Sequence, residues 1–132
     1  MATIQKDATI DVPVEVAWNA LRDVGAVHRR LAAGFVTDCR MEGNEARIVT
    51  FANGMQVREL IIAIDEPRRR LVWSAVGGRL AHHNASAQVL AEGPGRCRFV
   101  WICDLLPHEM APAIEAMIEQ GLAAIVRTLG AK

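Results

Sequence analysis

The sequence lacks both an excess of charge and a long hydrophobic run. Its 15 lysines and arginines balance 15 aspartates and glutamates, so the formal net charge is zero. Nucleic-acid binding needs a basic face, and the basic cluster at residues 68–70 is typical of a solvated turn. No apolar stretch approaches the roughly 20 residues of a membrane-spanning helix, and residues 1–13 do not have the pattern of a signal peptide. We therefore expect no nucleic-acid partner and no membrane span.

Cysteine and catalytic motifs are also scarce. The three cysteines, Cys39, Cys97 and Cys103, are an odd number without a CxxC pair. Cys97 and Cys103 lie on one predicted strand, roughly 20 Å apart, so reduced thiols in a cytoplasmic protein are expected. GxSxG, P-loop, GxGxxG and HExxH motifs are absent, and the adjacent His82 and His83 point to opposite faces of a strand. We therefore expect no metal and no cofactor.

The N-terminal third reads as a strand followed by two helices. Residues 3–11 alternate weakly and predict the first strand. Pro13 and Gly25 bracket a helix of about three turns whose apolar residues recur every three or four positions. Trp18 lies in this helix as a core anchor. The stretch 26–34 predicts a second, shorter helix.

From residue 35 to residue 106 the hydrophobic period changes to two. Turn signals, including Asn53-Gly54, divide this region into six strands without intervening helices. With the first strand they predict a seven-stranded antiparallel sheet. An apolar stripe then predicts a long helix over about 109–129, enough to cross a curved sheet. The chain is expected to be a single α+β domain over 1–132.

The strand alternation predicts which side chains face the long helix. In the last strand, Phe99 and Trp101 share a face with both cysteines, and this face is expected to point inward. The same parity turns His83 and Trp73 inward on the two preceding strands. Large rings then face a row of alanines and Gly121. Such a mixture fits either jigsaw packing or a cavity between sheet and helix, with Met117 on the helix side.

A charged pair interrupts the apolar strand at 55–65, where Arg58 and Glu59 are adjacent. Strand alternation turns one of the two toward the inner face. If this residue is Glu59, it shares that face with Val57 and Ile61 and lines a pocket. The alternatives are an outward carboxylate that pairs across strands, or a buried carboxylate with satisfied hydrogen bonds. Burial disfavours the ionised form unless a cation or donors compensate, and His83 is a candidate partner. A Glu59–His83 pair could also act as general base and acid.

The order of strand, two short helices, six strands and one long helix resembles the helix-grip fold of the START-like, or SRPBCC, superfamily. The resemblance covers essentially the whole chain. It rests on "VPVEVAWNALRDVG", "GNEARIVTFANGMQVREL" and "RRRLVWSAVGG". Members of this superfamily include the birch-pollen allergen, bacterial polyketide cyclase/dehydrase-like proteins, aromatic-ring oxygenase α-subunit domains and plant abscisic-acid receptors.

The resemblance implies a set of site residues. In the ligand-binding branch, the strand matching "VREL" carries a carboxylate that points into an apolar pocket, which is Glu59 here. The pocket aromatic of the next strand falls on Trp73, and a polar or aromatic residue of the sixth strand falls on His83 or Asn84. Thr37 stands where the receptors have a pocket lysine, so the resemblance implies no partner charge for an acidic ligand. The oxygenase metal ligands and the receptor gate sequence have no match.

Three functions follow from these patterns. The first is binding of a small hydrophobic molecule, aromatic, polyketide-like or lipid-like, in an internal cavity. The second is a cyclase/dehydratase-type enzyme that uses Glu59 and His83 for proton transfer. The third is a dimerising interaction protein without a ligand, with Val100 and Ile102 in a dimer patch. The expected oligomeric state is a monomer or a homodimer. The ligand-binding set expected for the first is Thr37, Val57, Glu59, Ile61, Trp73, His83, Phe99, Trp101, Met117 and Gly121.

Overall fold

The computed structural model describes residues 2–130, so the predicted domain bounds, residues 1 and 132, lie outside the described residues. Seven antiparallel strands form one sheet in the order β1-β7-β6-β5-β4-β3-β2. The strands are β1 (Ala2–Ile10), β2 (Val36–Glu42), β3 (Ala46–Phe51), β4 (Gln56–Asp65), β5 (Arg70–Val76), β6 (His82–Ala91) and β7 (Cys97–Leu106). Successive hairpins build β2 to β7, and β7 then pairs with β1.

The helices lie where the sequence predicts them, with different bounds. Helix α1 spans Val14–Arg22, and helix α2 spans Ala111–Gly130 after a 3₁₀ turn at His108–Met110. The predicted second helix is a 3₁₀ turn, Val24–Ala26, followed by a single π-helical turn, Val27–Leu31, which we call the π turn. The Ala32 N–H closes the π turn on the Val27 carbonyl at 2.8 Å. The predicted α+β helix-grip fold is confirmed.

The inner face of the sheet follows the predicted alternation. On β7, Cys97, Phe99, Cys103 and Leu105 are all buried. On β6, Ala85, Ala87 and Val89 are buried on the same side, while Leu90 is exposed. Period-two patterning therefore sets which side chains face α2, because each strand is buried on that side.

Two β-bulges change the alternation elsewhere. On β2 the register shifts between Val36 and Asp38, so Thr37 is an extra residue without a partner on β3. On β4 the register shifts between Ile61 and Ala63, which leaves Ile62 as the extra residue and 54% exposed. A bulge turns the following side chains relative to a regular strand.

The packing of α2 leaves space over the middle of the sheet. The backbone of α2 approaches β1 and the π turn most closely, and the Lys6 ammonium on β1 lies 2.9 Å from the Glu115 carboxylate on α2. Helix α1 is anchored as predicted by Trp18, which is buried and donates its indole N–H to Glu66 at 2.7 Å. Within residues 2–130, no helix is long and apolar enough to cross a membrane.

Candidate functional site

A cavity of about 670 Å³ lies between the inner face of the sheet and α2. Its walls are mostly apolar. Of the polar residues that line it, Gln56, Arg58 and Arg79 are exposed, whereas Arg47, Glu59 and His83 are buried or half-buried. The apolar lining includes Val27, Leu31, Phe35, Val49, Phe51, Val57, Leu71, Trp73, Ala87, Phe99, Trp101, Ile114, Met117, Ile118 and Ile125. Ligand pockets in proteins typically occupy roughly 300–1,000 Å³, so this space is large enough for a small organic molecule.

The cavity has a buried end and an open end. Leu21, Val27 and Leu31 close one end from α1 and the π turn. Exposed residues line the other end, including Met55 in the β3–β4 turn and Arg79 in the β5–β6 turn. The first turn of α2 completes this rim. A ligand would therefore enter between the two hairpin turns and the start of α2.

Arg47, Glu59 and His83 lie in one row that runs across strands β3 to β6, with Ala75 of β5 between Glu59 and His83. We call these three residues the polar row. Arg47 on β3 pairs with Glu59 on β4, and Glu59 pairs with Ala75 on β5. Ala75 in turn donates its backbone N–H to His83 on β6. The β-ladder thus places all three polar side chains at one level of the inner face.

Arg47 and Glu59 form a buried ion pair. The Arg47 Nε–H donates to Glu59 Oε1 at 2.9 Å, and the two side chains are 5% and 11% exposed. Arg47 Nη1 also donates to the Val24 carbonyl at 2.9 Å, and its guanidinium lies 5.9 Å from the ring centroid of Trp73. The guanidinium is therefore held by a carboxylate, a carbonyl and an aromatic face, as buried charges require.

His83 is fixed in orientation at the point where β5 and β6 separate. The last β5–β6 pair is Trp73 with Ala85. Beyond it, Ser74 Oγ donates to the His83 carbonyl, and His83 Nδ1 accepts the Ala75 N–H at 2.9 Å. Burial, with a smaller contribution from nearby His82, lowers the pKa of His83 below 6.5. The imidazole is therefore neutral at pH 7.

Aromatic rings form the walls next to the polar row. Trp73 and Trp101 lie with centroids 5.9 Å apart at an interplanar angle of 59°, and Phe35 meets Phe51 edge to face at 5.3 Å. A Cβ at Gly121 would lie 3.0 Å from both Phe35 and Trp101. The absence of a side chain at Gly121 therefore lets these two rings contact the backbone of α2.

The structure brings most of the predicted site residues together. Those that line the cavity are Val57, Glu59, Trp73, His83, Phe99, Trp101 and Met117. Asn84 is not among the lining residues, so the structure selects His83 from the two candidates on β6. Their roles toward a ligand stay predictions.

Three predicted residues do not line the cavity. Thr37 is exposed, because the β2 bulge turns it outward, and its hydroxyl donates to the Thr50 carbonyl. Ile61 packs against the core beside Trp73, beyond the end of β3. Gly121 packs against the rings of Phe35 and Trp101 and does not border the open space. The placement of these three in the pocket is therefore wrong.

The polar row corrects two further expectations. The partner of Glu59 is Arg47, whereas His83 lies two strands away, about 10 Å between backbones. The expectation that the pocket lacks a positively charged side chain is also wrong. Arg47 on β3 supplies one, although position 37 on β2 does not. The hairpin register, which places Arg47 opposite Glu59, was the signal that sequence reasoning missed.

Other chemistry finds little support in the described residues. Within residues 2–130, no group of three His, Cys, Asp or Glu side chains is placed to hold a metal ion. Burial raises the pKa of the Cys103 thiol to about 11 and also raises the pKa of Cys39 and Cys97. All three thiols are free and protonated at neutral pH, so they are poor nucleophiles.

The predicted dimer patch lies on the outer face of the sheet. Val100 and Ile102 are both half-buried on β7. Val100 is flanked by Asp7 on β1 and by Gln88 on β6, so its neighbours in the sheet are polar. Oligomerisation through this patch stays a prediction.

Solved structures with this architecture are numerous. An uncharacterised protein from Bacillus thuringiensis superimposes with a TM-score of 0.86 at 14% identity, covering 97% of this chain and 98% of that one. The di-domain ARO/CYC protein BexL of the BE-7585A biosynthetic pathway gives 0.81 at 16%, covering 98% of this chain and 46% of BexL. Truncated norcoclaurine synthase from Thalictrum flavum gives 0.74 at 16%, covering 98% and 91%. At these identities the likeness establishes the fold alone.

The sequence itself identifies the family. No curated protein matches the chain significantly. Residues 1–130 match the family described as polyketide cyclase/dehydrase and lipid transport, and a START superfamily protein from Mycobacterium smegmatis shares the fold with a TM-score of 0.72 at 10% identity, covering 97% and 94%. The chain therefore belongs to the polyketide cyclase/dehydrase and lipid transport family, and it has the fold of START-like, SRPBCC proteins.

Proposed function

We propose that this protein binds a small, largely apolar molecule in the cavity between its sheet and α2. The observation that carries the proposal is an apolar cavity of about 670 Å³ whose few polar groups converge from one side. Apolar walls supply affinity, and a small number of placed polar groups supply orientation. The family description, which includes lipid transport, is consistent with this proposal.

The ligand in this proposal is aromatic, because the cavity walls are aromatic where they meet the polar row. Trp73 and Trp101 offer faces and edges to a flat ring system. A related fold is known to accept such molecules, since norcoclaurine synthase has been solved in complex with dopamine and hydroxybenzaldehyde. We extend only the class of ligand, a small aromatic compound, to this chain.

Glu59 supplies the acceptor that orients this ligand. Its Oε1 is occupied by Arg47, whereas Oε2 makes no hydrogen bond within residues 2–130. A hydroxyl or amine of the ligand can donate to Oε2, directly or through water, without breaking the ion pair with Arg47. Arg47 is in this view a positioning residue, because it holds the carboxylate in place.

Isothermal titration calorimetry with the apolar aromatic probe 2-isopropenylnaphthalene tests the binding proposal. We expect saturable binding of one molecule per chain. Met117→Trp, which fills the cavity from α2, should abolish binding, whereas Ala116→Trp on the exposed side of the same helix should leave it unchanged. Absence of saturation, or equal binding by both variants, would contradict the proposal.

One observation favours an enzymatic alternative, because Glu59 and His83 both enter the same cavity. A base of this kind would remove a proton next to a ligand carbonyl. Exchange of the methyl protons of 2-acetylnaphthalene in D₂O, followed by NMR, measures this step. An acid–base enzyme should accelerate exchange and lose about 100-fold or more on Glu59→Gln, whereas a binding protein should leave exchange at the buffer rate.

A further inference from the structure

We infer that His83 is a donor-only contact, so that the cavity selects ligands with an oxygen acceptor facing β6. This inference rests on the proposed binding function and goes further, because it specifies which ligand group faces which strand. It concerns the direction of the hydrogen bond and not only the presence of His83 in the lining.

The direction follows from the backbone of β5. A backbone N–H can only donate, so the Nδ1 atom that receives the Ala75 N–H at 2.9 Å carries no proton. The single proton of the neutral ring must therefore be on Nε2. The lowered pKa of His83 is consistent with this neutral form.

The donor has no partner in the protein. Within residues 2–130, no group accepts a hydrogen bond from His83 Nε2, and the side chain lines the cavity. Nε2 is one of the two ring atoms farthest from the histidine backbone, while Nδ1 is tied to β5. The free N–H is thus the group that a ligand meets on the β6 side.

Within the polar row, Glu59 and His83 therefore require ligand groups of opposite hydrogen-bonding character. Glu59 Oε2 can only accept from a ligand when the carboxylate is ionised, whereas His83 Nε2–H can only donate. Their strands are about 10 Å apart, so one flat aromatic molecule can contact both. A carbonyl, ether or hydroxyl oxygen suits the β6 side, and an ammonium group does not.

The test compares two probes of nearly the same shape. 2-Acetylnaphthalene has a carbonyl oxygen at the position where 2-isopropenylnaphthalene has a CH₂ group, so only the first can accept a hydrogen bond. The measured quantity is the ratio of their dissociation constants. His83→Asn keeps an acceptor for the Ala75 N–H, but its shorter side chain has no N–H at the position of Nε2, so it should lower the preference for the ketone about 3- to 10-fold. His82→Asn, on the exposed outer face, should not change the ratio.

A second variant and a spectroscopic readout separate a ligand contact from a structural role. His83→Gln places an amide N–H near the position of Nε2 and should restore part of the preference for the ketone. The carbonyl stretching band of bound 2-acetylnaphthalene should lie at lower frequency in the wild type than in His83→Asn, because a hydrogen bond weakens the C=O bond.

Three outcomes are distinguishable. A lower ratio and a shifted band in His83→Asn support the inference. An unchanged ratio and band, while 2-isopropenylnaphthalene still binds the wild type, overturn the inference and leave the proposed function intact. If neither probe binds the wild type with saturation, the proposed function fails and the inference fails with it.

Discussion

Replacing Glu59 by leucine should destabilise the protein. The reason is Arg47, whose guanidinium is 5% exposed and donates to Glu59 at 2.9 Å. Without the carboxylate, the Val24 carbonyl is the remaining oxygen acceptor of this buried cation. Removing one partner of a buried ion pair typically costs about 3–5 kcal/mol, and we expect about 3 kcal/mol because Glu59 borders the cavity.

The double variant distinguishes this cause from a simple packing defect. Arg47→Met together with Glu59→Leu removes both charges and fills the space with apolar atoms. Such replacements of whole buried pairs are often neutral or stabilising. The double variant should therefore recover at least half of the loss seen in Glu59→Leu. Urea unfolding at pH 7, followed by far-UV circular dichroism, measures the free energy of unfolding of each variant.

An exposed ion pair of similar geometry is the matched control. Arg58 donates to Glu42 at 2.8 Å, but these side chains are 48% and 46% exposed. Glu42→Leu should cost less than about 1 kcal/mol, because water and salt screen such pairs. If Glu59→Leu costs no more than Glu42→Leu, the buried guanidinium does not depend on Glu59, and the reasoning is refuted.

Two further predictions concern Gly121 and His83. Gly121→Ala should lower the free energy of unfolding by about 1–3 kcal/mol, because the new Cβ would lie 3.0 Å from Trp101. Gly130→Ala, whose Cβ would have open space around it, should leave the free energy of unfolding unchanged. A Gly121→Ala variant as stable as the wild type would contradict the packing of the rings on α2. Because burial lowers the pKa of folded His83 below its unfolded value of 6.5, its contribution to stability is fully present above pH 6.5 and is lost as pH falls through the lower folded value. His83→Asn should flatten this part of the pH profile in urea unfolding more than His82→Asn does, because His82 makes only the smaller contribution to the lowered pKa. Equal profiles would contradict the burial of His83.

The fold could be predicted from the sequence because its signals agree with one another. Period-two patterning continues through β7, where Phe99 and both flanking cysteines are buried as expected. Turn residues separate the strands, and the apolar stripe of α2 matches the apolar inner face of the sheet. The β2 bulge shows where this reasoning fails, since one extra residue at Thr37 reverses the facing without any change in composition.

The candidate site was only partly predictable. Strand parity turned one of Arg58 and Glu59 inward and the family resemblance selected Glu59, but neither identified Arg47 as the partner. An Asn-Gly pair predicts a two-residue hairpin turn, which would set Ile48 opposite Glu59. The actual loop closes between Phe51 and Met55, so the register moves by one residue and places Arg47 there. A shift of one residue exchanges the two faces of a strand.

Whether large rings and small residues pack tightly or leave a cavity could not be decided from composition either. Gly121 fits both readings at the level of sequence. In the structure it allows Phe35 and Trp101 to approach the helix backbone, and the open space is lined by α2 residues on either side of it, including Ile114, Met117 and Ile125. The three-dimensional path of α2 over the sheet, which no local pattern encodes, decides where the cavity lies.

The position of a bound aromatic molecule decides whether the cavity is a binding site. We suggest a crystal structure with 2-bromonaphthalene, measured at the bromine absorption edge so that the anomalous signal locates the ligand. The binding proposal predicts one bromine peak inside the cavity, among Trp73, Trp101 and Met117. Bromine only on the outer surface, with side chains filling the space between sheet and α2, would contradict it.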